Sequence, residues 1–281
     1  MADALAAQQI SDGASHQYRL DETSGTTATD RGSVPINGTY ANCTLNQTPI
    51  VSGSTGCVLL NGSTSYADFN WDVTAILSQA WSVEAVFSPV VTSTAGNRLL
   101  ANDSPSADSK GMAIVGDNYT GSYGGISAAF SGGNADSTPG SLLFAAGMKY
   151  LVQGVWRGST TSVLELWING VKVQSLTTSG NYVAAGYHMR LGMNPQGSNL
   201  YLNAYVSDLA LYNFALTTTQ IANHLTKLAF PLGKPGSSPF ASIVEANKAP
   251  HVALVSRPQL PNTGALGQNA KVGASNYGFV S

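Results

Sequence analysis

Ser162-Val163-Leu164-Glu165-Leu166-Trp167-Ile168-Asn169-Gly170-Val171-Lys172-Val173 is the stretch that decides the fold class. Successive side chains alternate faces in a strand, so Leu164, Leu166 and Ile168 share one side and Glu165 and Trp167 the other. Asn169-Gly170 follows, and both residue types accept the positive φ that the two central positions of a tight hairpin turn require. Val171 and Val173 then resume the alternation. The pattern predicts an antiparallel hairpin with one buried and one exposed face.

Working outward, Trp81, Val83, Ala85 and Phe87 alternate with Ser82, Glu84 and Ser88, again predicting one buried and one exposed side. Strands are also expected at Gln17–Leu20, Cys57–Leu60, Tyr150–Trp156, Met189–Met193, Leu200–Val206 and Asp208–Tyr212. The Gly-, Ser-, Asn- and Asp-rich stretch from Ala101 to Gly140 predicts two or three weak strands joined by long exposed loops. Short strands at this spacing favour a sandwich over an α/β fold. One helix is well signalled. Thr217-Thr218-Thr219-Gln220 has the form of a capping box, and Ile221, Leu225 and Leu228 follow on one stripe. An Ala-rich segment from Ala2 to Gln9 predicts a short helical turn, marginal in isolation.

The bulk composition agrees. The 281 residues are 43% hydrophobic and only 10% charged, with 30 glycines, which suits short strands, many turns and a surface solvated by hydroxyls and amides. A net charge of −2, from scattered residues, provides no basic stripe to follow phosphates, so nucleic acid is not an expected partner. The longest apolar runs, such as Leu142 to Ala146, fall far short of the ~20 residues a membrane helix needs. The opening MADALAAQQISDG has acidic residues and no apolar core, so it does not resemble a secretion signal and predicts assembly in the cytoplasm. Cys43 and Cys57 are too few for a disulfide scaffold. A cross-strand pair and two reduced, buried thiols both fit, and the absence of an export signal favours the thiols.

After Phe230 the composition changes, with six of the twelve prolines between Pro231 and Pro261 and no strand or helix period. This arm is nonetheless apolar: Phe240, Ile243, Val252, Leu254 and Phe279 are too hydrophobic to sit free in water without cost. They are the candidate anchors to a partner or to a second copy of the chain, packing back on the chain's own body being the alternative. Three regions result: an N-terminal extension (1–15), a β body (16–230) and an extended irregular C-terminal arm (231–281).

Several segments together resemble laminin-G-like, or concanavalin A-like, jelly-roll domains. Gln17 to Asp30, then Asn37-Gly38-Thr39-Tyr40, is similar to their opening: an aromatic-Arg-Leu-Asp strand, a Ser-Gly turn, an Ala-x-Asp step and a Gly-Thr-Tyr close. Val58 to Gly62 resembles their second strand. Tyr150 to Val173 resembles their central strand ending in Trp, followed by a hairpin. Arg190-Leu191-Gly192 and Tyr205 to Leu216 resemble their closing strands and Tyr-Asn-x-Ala-Leu turn. The resemblance covers about three-quarters of the chain in the right order, and implies an all-β, antiparallel two-sheet jelly-roll sandwich with one short C-terminal helix. It has no counterpart for the arm.

The resemblance also implies candidate chemistry. Laminin-G-like domains often hold calcium at the sandwich rim, which makes Asp30, in the Ala-x-Asp step, the first candidate ligand. The family's acidic position in the final strand falls on Ser207, with Asp208 beside it, a departure that weakens the carry-over. Capping of the following turn is the other role open to Asp30. Glycoside hydrolases on this fold carry two Glu on one strand two or four residues apart. The only glutamates here are Glu22, Glu84, Glu165 and Glu245, and neither Glu84 nor Glu165 has such a partner, so no catalysis is expected. Asp68, Asn70 and Asp72 share a face of an extended segment, but the match to a helix-loop-helix calcium loop fails at Val73 and Gln79. A strand-edge or turn role is expected for them. His16, His188, His224 and His251 stand far apart in sequence, as structural residues do. Tyr119, Tyr123, Tyr182 and Tyr187 lie in Gly- and Asn-rich segments, a composition suited to stacking on sugars.

Openings of this type are common in proteins of bacteriophage particles and of bacterial surfaces. The expected function is therefore a non-catalytic virion structural protein, made in the host cytoplasm, that decorates a head or tail. Its sandwich is displayed, and its arm fastens it to other virion proteins or to copies of itself. The alternative is a carbohydrate-binding adhesin for host-surface polysaccharide.

Overall fold

The computed structural model describes residues 3–70, 79–91, 97–102, 112–115, 125–131, 133–136, 144–196 and 200–228. All lie in the larger of two units into which the chain divides, Met1–Ala241. The candidate anchors Phe240, Ile243, Val252, Leu254 and Phe279 lie outside the described residues, as do Tyr119 and Tyr123.

Helix α1 (Ala4–Ser11) opens the chain. Strands β1 (His16–Tyr18), β2 (Thr27–Ala28), β3 (Gly38–Ala41), β4 (Thr44–Gln47), β5 (Cys57–Asn61), β6 (Tyr66–Asp68) and β7 (Trp81–Pro89) follow. Then come β8 (Arg98–Ala101), β9 (Met112–Val115), β10 (Gly125–Phe130), β11 (Gly133–Asp136) and β12 (Tyr150–Trp156). Strands β13 (Val163–Ile168), β14 (Val171–Thr177), β15 (Arg190–Leu191) and β16 (Asn203–Tyr212) precede helix α2 (Thr218–Lys227). Among the described residues these strands form two eight-stranded antiparallel sheets. Sheet A runs β14-β13-β12-β7-β16-β5-β4, with β1 also on β16, and sheet B runs β11-β10-β9-β8-β15-β6-β3-β2. The result is the jelly-roll sandwich that the resemblance implied.

Local chemistry accounts for the elements. Asn169 and Gly170 both have positive φ, at 48° and 74°, so the β13–β14 turn is the mirror-image type whose twist matches its strands. The capping box forms as expected: Thr217 accepts from the Gln220 amide nitrogen and Gln220 reaches back to the Thr217 N–H. The expected strands at 200–206 and 208–212 are one strand, β16. Its register shifts between Ser207 and Ala210, where Asp208 takes a φ of 49°. That is a β-bulge, and a two-residue period read across a bulge looks like two strands. The expected strand at 189–193 is shorter, Arg190–Leu191.

Between the sheets an apolar core holds Trp81, Trp156, Phe130 and Tyr182, with ring centroids 5.3–6.5 Å apart. Gly154 leaves room for a side chain of the opposite sheet: a Cβ there would meet Ile126 Cδ1 at 2.7 Å.

One expectation fails on the inner strands of sheet A. Every residue of β7 is buried, including Ser82, Glu84 and Ser88, which alternation placed at the surface. Glu165 and Trp167 on β13 are buried as well. The physical reason is a third layer. Helices α1 and α2 lie on the outer face of sheet A and pack against each other. Leu5 joins Ile50, Val51, Cys57, Val86, Leu151 and Leu228 in one apolar cluster. Ala14, Val155, Trp167, Ala210, Tyr212, Leu216 and Ile221 form another. The segment expected as an extension thus buries Leu5 completely.

Cys43 and Cys57 are free thiols. Burial raises both pKa values to about 11, so neither is a reactive thiolate near neutral pH.

Candidate functional site

Two clusters of chemistry-bearing side chains occupy the outer faces of the two sheets. The first is sealed. Gln17, Ala210, Glu84 and Gln153 are register partners in one row across β1, β16, β7 and β12. Glu84 Oε1 accepts from Gln9 Nε2 at 3.0 Å and from the Tyr212 hydroxyl at 2.8 Å. Its Oε2 accepts from Gln153 Nε2 at 2.8 Å and pairs with His224 Nδ1 at 2.9 Å. His224 Nε2 in turn meets Asp12 at 2.9 Å. Burial alone would raise the Glu84 pKa, but the His224 charge and the hydrogen bonds outweigh it and hold it below the usual range. Burial would likewise lower His224, but Glu84 and Asp12 lift it to about 9. The imidazolium therefore donates from both nitrogens, pinning both helices to the sheet. Glu84, Gln153 and His224 are all fully buried, so the cluster has no face to offer a ligand.

The second cluster is open. Strands β3, β6 and β15 place Thr39, Asp68 and Arg190 in one row of sheet B, since Thr39 and Arg190 are both register partners of Asp68. Ala67 and Leu191, their neighbours in sequence, point into the core, so the row points outward. Asp68 Oδ1 accepts from the Asn70 amide at 3.0 Å and pairs with His188 Nδ1 at 3.0 Å. Its Oδ2 accepts from Arg190 Nε at 2.9 Å. The Arg190 guanidinium lies 5.1 Å from the centre of the Tyr66 ring, one step along β6 from Asp68 on the same face. Arg190 Nη1 donates to the Pro195 carbonyl at 3.3 Å and contacts Met193 Sδ at 3.8 Å. Asn70, at a φ of 57°, turns its side chain back to donate to Asn37 O and Thr39 Oγ1. The side chains of His188 and Arg190 remain 51% and 24% exposed. An aromatic ring, a carboxylate and fixed donors on one accessible sheet face can dock a polyhydroxylated ligand.

The sequence-expected site residues fare differently. Tyr187 is exposed and directly precedes His188. Tyr182 is not available for stacking: its ring is in the core, and its hydroxyl bonds to buried Asn102 at 3.0 Å. The chain just before it pairs with Ser131, which draws Tyr182 between the sheets. Asp30 accepts four hydrogen bonds, from His16 Nδ1 at 2.6 Å and from the amides of Gln17, Gly32 and Ile36. Burial would raise its pKa, but these donors hold it low. Its capping role is thus realised. Asp208 faces in the opposite electrostatic direction: burial and the neighbouring Asp3 carboxylate push its pKa well up, and Ser207 donates to it at 2.6 Å. Asp30 and Asp208 are committed to different partners, and among the described residues no three His, Cys, Asp or Glu side chains gather as a cation site.

Sequence reasoning missed the Asp68 cluster as a site. The one signal was the Asp68-x-Asn70 pair, correctly placed at a strand end and turn. The partners His188 and Arg190 lie 120 and 122 residues away.

Comparison with known proteins gives the fold a class. The family model described as the concanavalin A-like lectin/glucanases superfamily matches residues 61–222, more than half of the chain. The chain belongs to this family. No curated protein matches it. Among solved structures, domain 4 of AbnA, an extracellular arabinanase of Geobacillus stearothermophilus, in complex with arabinotriose, is similar at 17% identity and a TM-score of 0.50, covering 74% of this chain and 85% of that one. The binding domain of botulinum neurotoxin DC in complex with SialylT is similar at 12% identity and a TM-score of 0.57, covering 79% of this chain and 53% of that one. The binding domain of Paraclostridial Mosquitocidal Protein 1 has 10% identity and a TM-score of 0.58, with 77% and 52% covered. The chain spans about half the length of the toxin chains it matches. At these identities the likeness is one of fold.

Proposed function

We propose that the sandwich is a non-catalytic carbohydrate-binding domain whose ligand docks on the outer face of sheet B. The observation that carries this is the accessible row of Thr39, Asp68 and Arg190, flanked by Tyr66 and His188. Membership of a lectin and glucanase superfamily, and a fold shared with an arabinanase domain crystallised with arabinotriose, support it. Glu84 and Glu165, the glutamates of the sheet strands, are both committed to internal ion pairs, which argues against a hydrolytic pair. The test is binding of the full chain to a glycan array, followed by titration of any hit. Asp68→Ala should weaken binding about tenfold or more, the cost of losing a charge-assisted acceptor. Unchanged affinity in that variant would move the site elsewhere, and an array without hits would remove the proposal.

A second reading concerns where the domain works. The apolar, proline-rich segment after Phe230 and the opening motif favour a bacteriophage virion protein, with the sandwich displayed and the arm fastening it to neighbouring subunits. Removing residues 231–281 should abolish incorporation into particles. Truncated protein that still joins particles at full occupancy would end this reading.

A further inference from the structure

We infer that the sheet B face selects neutral sugars over sialylated or uronic-acid-bearing ones. This inference rests on the carbohydrate-binding reading and goes further by naming the ligand class. Recognition of a carboxylate by arginine is strongest through a bidentate fork, which needs two free N–H donors on one edge of the guanidinium. The group has two such edges, Nε with Nη2 and Nη1 with Nη2. Arg190 Nε is spent on Asp68, and Nη1 on Pro195 O and Met193 Sδ. Both edges have therefore lost one member, and no fork remains. Only Nη2 is left, able to donate singly, as a hydroxyl oxygen requires.

The charges agree. Asp68 and Arg190 pair and cancel, so the guanidinium offers no uncompensated charge to hold an anion. A ligand carboxylate would also meet the Asp68 carboxylate, which remains partly accessible at 16% of its side chain. A carboxylate next to a single donor suits a pair of adjacent hydroxyls, one donating to Asp68 and one accepting from Arg190 Nη2. His188 turns Nδ1 toward Asp68 and leaves half of its side chain exposed beside the pair, a further polar edge within reach of a ligand hydroxyl. Tyr66 adds an aromatic ring to the same face, with Ala41 opposite it on β3 and the Arg190 guanidinium 5.1 Å from its centre.

The experiment uses the full chain on matched glycan pairs that differ only in a terminal sialic acid or in oxidation of a hexose to its uronate. Neutral members should bind about tenfold or more tightly than their acidic counterparts. Their affinity should change little between about 50 and 500 mM salt, where binding that rests on an unpaired charge would be screened. His188→Ala, at an exposed position, should weaken neutral-sugar binding several-fold without unfolding the chain. Acidic glycans bound as well or better, or affinity that falls steeply with salt, would overturn the inference and leave carbohydrate binding standing. An absence of binding to any glycan would remove both.

Discussion

Among the described residues, a carboxylate–histidine–tyrosine group lies on the outer face of each sheet, and the two groups have opposite fates. Glu84 and Tyr212 lie beneath two helices, one of which carries His224, and all three are fully buried. Asp68, His188 and Tyr66 lie on a face reached by solvent. The same residue types therefore serve cohesion in one place and accessibility in the other, and what decides is the cover. A charge sealed from water is kept only if every lone pair and proton finds a partner. Glu84 meets this with four partners, whereas Asp68 keeps its charge with partial hydration.

The comparison can be broken most sharply at Glu84. Glu84→Ala should destabilise the chain by about 3–5 kcal/mol in denaturant unfolding, because it strands the buried His224 charge and the Tyr212 and Gln153 donors. A loss under about 1 kcal/mol would mean that the network is not what fastens the helices.

Next in size is the pH dependence. His224 has its pKa raised from 6.5 to about 9, so its contribution is fully present below pH 6.5 and lost as the pH rises through about 9. The shift corresponds to roughly 3 kcal/mol, and His224→Gln should flatten the denaturant midpoint across that window. Glu84 runs the other way: its contribution is present above its ordinary value of 4.5 and fades as the pH falls through its depressed folded value.

Thr217→Ala should cost about 1 kcal/mol by removing the capping box of α2, measurable as a lower unfolding midpoint. The smallest effect is expected at the open group, where Asp68→Asn should change stability by less than about 1 kcal/mol while impairing ligand binding. A large loss of stability there would mean that Asp68 serves the fold and not a ligand.

Local signals carried most of the fold. Asn169-Gly170 and Thr217 to Gln220 specify their turn and cap within four residues, and alternation located most strands. The covered face of sheet A escaped because its cause is distant: Glu84 is buried by Gln9, 75 residues before it, and by His224, 140 residues after it. A strand covered on both sides loses the contrast that periodicity depends on. The candidate site escaped for the same reason, since no local pattern joins Asp68 to Arg190. Tyrosines in Gly-rich segments misled in one case, because composition cannot say whether a ring turns inward, as Tyr182 does.

The place of β16 has a consequence for how the chain is made. This strand pairs with β1, β5 and β7, so it sits in the middle of sheet A although it is the last strand in sequence among the described residues. During synthesis, sheet A cannot close until Tyr212 has been added, and β5 and β7 wait with unpaired edges until then. Completion should therefore be a late, cooperative step dominated by long-range pairing, and a chain stalled before Asn203 should be prone to aggregation.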